Sequence, residues 1–329
     1  MAISLTSDMK VYNEQFFGGM TEVLAQAVND VAGASRGAIA MGTNITGGDY
    51  QYKAFFKKIA SLVTRQDITS TSAATELKAV QDEEIKVKLH RKIGPLSLTR
   101  KAFNMIGESP ELGMFVWGQQ TAKDVLAEMV NTSLLAARVA IANQSALTND
   151  ITGATIKTIN NSNLLRTLGK LGDRSNSVVA WVMHSTQFFD LAAADIEDQL
   201  TGVASEVIRI VNVPSLGRPI IITDSDSLIA TADTPDSYYV LGLTQQAISC
   251  ETTEDQYVTV QEITGAEQIY NRVQGEWAFN LGLKGFKWDV GNGGANPDNT
   301  ALGTGSNWDL SATSYKDAAG VVLKCQAAS

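Results

Sequence analysis

Few residues in this chain could do chemistry. Histidine occurs only twice, at His90 and His184, which leaves little material for a histidine-based metal centre. His184, Ser185 and Asp190 supply the residue types of a nucleophilic hydrolase. Their spacing does not supply the geometry, because neighbours on a strand point to opposite faces and no GxSxG turn surrounds Ser185. A polar strand end accounts for them better, and a hydrolase using Ser185 and His184 is a distant alternative. Cys250 and Cys325 are far apart and match no metal spacing, as expected of buried thiols in a reducing compartment. No GxxxxGKS occurs, nor a GxGxxG between a strand and a helix, so no nucleotide site is expected. The pairs Glu83–Glu84, Asp224–Asp226 and Glu254–Asp255 lack calcium-loop spacing and read as solvated turns. No catalytic residue, metal or cofactor is expected.

A row of cations is the stronger signal. Lys53, Lys57 and Lys58 precede a Ser/Thr-rich stretch; Lys86, Lys88, Arg91 and Lys92 follow it. Ile85, Val87 and Leu89 share one face with Arg91 in register, while Lys86, Lys88, His90 and Lys92 share the other, the period of a two-faced strand that Gly94 and Pro95 should end. Residues 51–101 carry eleven Lys or Arg against five acids, so on a chain of net charge −9 the remainder carries −15. A basic ribbon beside an acidic body suits contact with an identical neighbour, whereas the acidic body disfavours tight duplex binding. Aromatic interleaving is confined to Tyr52, Phe55 and Phe56, which also disfavours a nucleic-acid platform. A two-stranded ribbon is marginal alone in water, so it is expected to lean on another subunit.

The elements that must position this ribbon follow from periodicity. Residues 109–145 read as one helix, with Ser109 as N-cap, Pro110 in the first turn and Glu111 near the exposed amides. Its core stripe is Leu126, Val130, Leu134, Ala137 and Ile141, with Ala122, Val125, Met129 and Ala140 beside it. Residues 119–142 alone would span roughly 36 Å, enough to cross a small domain. Before the ribbon come an amphipathic segment at 7–32 and a glycine-rich arm, and a short helix is expected at 97–106. Residues 150–265 alternate helix and strand: helices at 162–171 and 186–193 with a turn at 195–200, a buried strand SVVAWVMHS, and two apolar strands flanking Pro214 to Pro219. The aromatic segment 267–290 should return beside the long helix, and the Gly/Asn/Ser-rich tail should end in a docked strand. No signal peptide is recognised, and no stretch is expected to approach the roughly 18 apolar residues of a membrane span.

The segments KIGPLSLTRKAF, SVVAWVMHSTQFFDL, GRPIIITDSD and YYVLGLTQQAI, in this order around the long helix, resemble the major capsid proteins of tailed double-stranded DNA bacteriophages. The resemblance implies an α+β fold with an N-terminal arm (1–49), an extended β-hairpin loop (50–95) and a peripheral domain with a long spine helix (96–149 and 265–290). An axial α/β domain (150–264) and a C-terminal extension (291–329) complete it. It further implies a structural protein that self-assembles into an icosahedral shell of hexamers and pentamers around the packaged genome. That places it in the virion capsid, with assembly in the host cytoplasm. Inter-subunit contact would fall on Lys53, Lys57, Lys58, Lys86, Lys88, Arg91 and Lys92, and the spine core on Leu126, Val130, Leu134 and Ile141. The implied partners are further copies, a separate scaffolding protein (the arm being too short to hold a scaffold segment), a portal and a decoration or cement protein. Packaged DNA would be touched only weakly and no membrane is implied. Some relatives cross-link a loop lysine, but no motif selects one here. An encapsulin-like nanocompartment shell is the nearest alternative.

Overall fold

Two β-sheets share one long helix as their support. The structure, a computed structural model, describes residues 31–57, 76–99, 110–200, 217–231, 233–265 and 267–328, with scattered positions between 16 and 26, between 59 and 73, and at 101. The helix, α1 (Pro110–Ala142), has 33 residues and is about 50 Å long at 1.5 Å per residue. It starts where expected, although Ser109 lies outside the described residues, and it stops three residues short of the expected end. There the Thr148 hydroxyl sits within 3.3 Å of the Ile141, Ala142 and Gln144 carbonyls, satisfying groups that a helix end leaves open.

Of the expected core stripe, Leu134 and Ile141 are buried, Val130 is half-buried against the core, and Leu126 is only half-buried. Val125 and Met129 take the buried positions instead. The shift has a physical cause. Beyond Met129 the helix buries Thr132, Ser133, Ala136, Ala137 and Ala140 as well, and small side chains on several faces let both sheets approach it. This helix also corrects the expectation about membranes: Gly113–Ala142 is long and apolar enough to cross one by length and composition, but half of its most apolar window is buried inside the protein.

The strands are β1 (Ile39–Thr43), β2 (Tyr50–Phe56), β3 (Gln81–Thr99), β4 (Thr148–Asp150), β5 (Val178–His184), β6 (Ile220–Thr223) and β7 (Ile229–Ala230). They continue as β8 (Ser237–Thr244), β9 (Ile248–Ile263), β10 (Tyr270–Leu283), β11 (Phe286–Trp288), β12 (Trp308–Leu310) and β13 (Gly320–Gln326). The first sheet has the order β1-β9-β10-β3-β2, with β1 parallel to β9 and the other pairs antiparallel. As expected, Ile85, Val87 and Leu89 face the core.

The ribbon expected to lean on another subunit is continuous with a sheet of its own subunit. Strand β3 pairs with β2 over residues 81–87 and with β10 over residues 87–99, so its first residues form a two-stranded ribbon with β2 and the rest lies against β10. It does not stop at Gly94 and Pro95. Gly94 takes a φ of +73°, open to glycine without strain, and the register shifts between Val273 and Gly275. The two residues form a bulge, and the ladder resumes to Thr99. Residues 97–99, expected in a helix, are therefore strand, and 102–109 lie outside the described residues.

The second sheet has the order β4-β13-β8-β5-β6, with β7 on β8. Helices α2 (Asn161–Gly169) and α3 (Ser185–Leu200) match two expected helices, except that α3 continues through the expected turn at 195–200. The strand expected before Pro214 lies outside the described residues. One assignment changes: strand β9, expected with the 150–264 unit, is hydrogen-bonded between β1 and β10. The C-terminal segment ends in a docked strand, as expected. Strand β13 lies inside the sheet, parallel to β4 and antiparallel to β8, with Val321, Val322, Leu323 and Cys325 buried. Trp288 and Trp308 meet edge to face at 4.9 Å in the short β11–β12 pair. Two arginines fasten the sheets to α1: Arg91 Nε donates to Glu128 at 2.8 Å, and Arg138 Nη1 to the Ile229 carbonyl at 2.8 Å.

Candidate assembly surfaces

The cationic face of the first sheet is built by side chains that cross strands. Lys86 on β3 reaches over β10 to β9, donating to Ser249 Oγ at 2.9 Å and Glu251 Oε1 at 2.5 Å. It can lie flat because position 282 beneath it is glycine; a Cβ there would stand 2.6 Å from Lys86 Cγ. Lys88, only 5% exposed, reaches Glu254 Oε1 at 2.6 Å. Burial pushes the Glu251 carboxyl up, but hydrogen bonds from Lys86 and Asn44 outweigh it and hold the group below the usual range. The Lys88 ammonium does the same for Glu254. Carboxylates with lowered folded values stabilise the fold above the ordinary glutamate range near 4.3, and that contribution is lost as pH falls through the lowered values.

Several cations of the expected contact row are paired inside the subunit. Lys86 and Lys88 have carboxylate partners inside the subunit, Lys57 pairs with Asp82 at 2.7 Å and Arg91 with Glu128. Lys53 and Lys92 are exposed, opposite Glu84 and Glu276 in register. Lys58 lies outside the described residues. The acidic partners could not be read from sequence, since Glu251 and Glu254 lie on a strand two places away in the sheet.

What presents itself to solvent at this end is apolar. Phe56 closes β2 at 69% exposure, and beyond it Leu62, Val63 and Ile68 stand at 67%, 93% and 88%. Leu77 and Val80, leading back into β3, are exposed as well. Such a run of exposed large side chains marks an interaction surface. Its sequence signal was available: bulky apolar residues in a Ser/Thr-rich stretch with neither helical nor strand period.

A second surface lies on the same sheet. Between the N-terminal half of α1 and strands β3 and β10 is an open groove of about 570 Å³, walled by Phe16, Ile93, Leu96, Trp117, Val273 and Trp277. Arg91, Lys92, Asp124 and Glu128 add charge to its lining. Gly118 allows the Phe16 segment against the helix, because a Cβ there would meet the Phe16 carbonyl oxygen.

The hydrolase residues do not converge. Ser185 opens α3, His184 Nδ1 accepts from the Thr186 amide at 3.2 Å, and Asp190 accepts from Gln187 and the Ala328 amide. Burial pushes the Cys250 thiol up to about 12 and raises Cys325 too, so neither is a ready nucleophile. Among the described residues no group of His, Cys, Asp or Glu could hold a metal.

An arm strand, a long hairpin and one helix spanning two sheets make up the tailed-phage capsid fold. The fold matches the capsid of Ralstonia phage GP4 with a TM-score of 0.50 at 12% identity, over 89% of this chain and 88% of that one. It matches Mycobacterium phage Adephagia at 0.52 and 9% identity, over 89% of each chain. The head structure of Helicobacter pylori bacteriophage KHP40 gives 0.51 at 9% identity, over 88% of each. At such identities the likeness concerns the fold. The family comes from sequence: residues 8–322 match the Gp13-like family, described as major capsid protein 13-like, and the chain belongs to it. It is the major capsid protein of a tailed phage and forms the capsid shell. No curated protein matches the chain. Neither the encapsulin-like nor the hydrolase alternative is favoured.

Proposed function

We propose that this subunit assembles into an icosahedral shell of hexamers and pentamers that encloses packaged double-stranded DNA. In this reading the ribbon of one copy, residues 50–99, lays its apolar end on the groove of the next copy. The exposed row Phe56, Leu62, Val63 and Ile68 carries the proposal. A chain bearing both an apolar end and an apolar groove elsewhere makes a head-to-tail contact, and such contacts close into rings when the rotation permits. Arg65, exposed beside the row, complements Asp124 and Glu128 of the groove. The lysines expected to carry this contact shrink to Lys53 and Lys92 at its margin, with Lys86 and Lys88 stiffening the ribbon from within.

The second sheet with α2 and α3 serves as the unit around the symmetry axes, and α1 with the first sheet as the peripheral unit. Assembly takes place in the host cytoplasm, on a separate scaffold and around a portal, with contact to DNA weak and nonspecific. Electron microscopy of the purified protein, mixed with the scaffold from the same phage where needed, tests the reading. Closed shells with sixfold and fivefold capsomers are expected; a monodisperse monomer under every assembly condition would overturn it.

A further inference from the structure

The link between β1 and β2 joins opposite edges of the first sheet. Strand β1 pairs only with β9 and β2 only with β3, with β10 between those two. Residues 44–49 must therefore pass over the face of three strands, and the contacts trace that path. The Asn44 amide donates to the Thr252 carbonyl of β9 at 2.9 Å. Asn280 Nδ2 of β10 donates to Thr46 Oγ1 at 2.9 Å, and the Lys88 amide of β3 donates to the Asp49 carbonyl at 2.9 Å. Asn44 Nδ2 adds a bond to Glu251 at 3.0 Å.

This strap has little slack. Four ladder spacings of about 4.8 Å make roughly 19 Å across the sheet. Thr43 is level with Leu89 and Tyr50 with Val87, which adds an offset of two residues, about 7 Å along the strands, for a span of roughly 20 Å. The seven steps from Thr43 to Tyr50 reach at most about 23–25 Å when fully extended. Climbing over the β10 side chains uses part of the remainder.

We propose that the strap 44–49 couples the arm strand to the ribbon, so that β2 cannot move away from β1 by more than about 5 Å without unseating β1 from β9. An assembly contact is thereby tied to a strand pairing inside the subunit. A ribbon drawn onto a neighbouring copy pulls on its own arm strand, and a seated arm strand limits where the ribbon can reach. The coupling inside the shell rests on the reading that the ribbon docks on a neighbour; the tautness of the strap does not.

Two experiments separate these parts. In the unassembled subunit, deleting Gly47 and Gly48 together leaves five steps that reach at most about 17–18 Å, short of the span, so one pairing must yield and hydrogen exchange at 39–43 or 50–56 should rise at least about tenfold, whereas inserting two glycines between Gly47 and Gly48 should leave both segments protected. The insertion has room, since a Cβ at either glycine would meet nothing within 4 Å. Unchanged exchange after the deletion would overturn the proposal whether or not shells form. In assembled shells, exchange at 39–43 should differ from that of the free subunit in the wild type and not in the two-glycine variant. The same difference in both would show that the strap transmits nothing.

Discussion

Replacing Phe56, Leu62 and Val63 together with serine should abolish closed shells while leaving the subunit folded. All three side chains are more than two-thirds exposed in the subunit, and exposed positions typically change stability by less than about 0.5 kcal/mol when substituted. Their value would appear only on docking, where burying each is worth about 1.5–3 kcal/mol. In the proposed shell every subunit would make and receive this contact, so the loss would be repeated around each ring and the closure that lets weak contacts act together would fail. Circular dichroism and thermal melting should match the wild type, while sedimentation and electron microscopy should find free subunits. Wild-type shells from the triple variant would show that the ribbon end is no contact.

Trp181→Ala should instead strike the subunit itself, lowering stability by about 3–5 kcal/mol. Trp181 is fully buried in β5, and its six-membered ring lies against Gly242 of β8, where a Cβ would stand 2.8 Å from it. The glycine exists to make room for the indole, so no side chain there can relax into the cavity that alanine leaves. Trp181 Nε1 finds no hydrogen-bond partner among the described residues, so the residue is held by packing, which alanine removes. Urea unfolding reads the effect as a lower midpoint; a loss below about 1 kcal/mol would mean that the second sheet does not depend on this layer.

The sequence made some of this visible and hid the rest for reasons that can be named. The alternation through Ile85, Val87 and Leu89 declared a strand with a buried face, because a two-residue period needs no knowledge of partners. The run AGVVLKC declared a buried strand, but nothing local says that β4 and β8 flank it. Lys86 and Lys88 looked like a free cationic face because Glu251 and Glu254 are 165 and 166 residues away along the chain. Only the sheet order brings them together. Leu126 was placed in the core because apolar spacing does not reveal which side of a helix two sheets will share. Gly94 and Pro95 read as a stop because a bulge and a chain break use the same residues. The ribbon is legible through its strand period, whereas the exposed Phe56, Leu62, Val63 and Ile68 at its end follow no period and stand out less than its cations.

Site-directed cross-linking tests the head-to-tail contact most directly. Cys250 and Cys325 are buried, so cysteines introduced together as Val63→Cys and Gln120→Cys, one at the ribbon end and one in the exposed lining of the groove, would be the accessible thiols. In assembled shells a short bismaleimide should join one copy's ribbon to the next copy's groove and give a ladder of covalent multimers on a denaturing gel, absent from free subunits. Monomer alone from intact, reagent-treated shells would contradict the account.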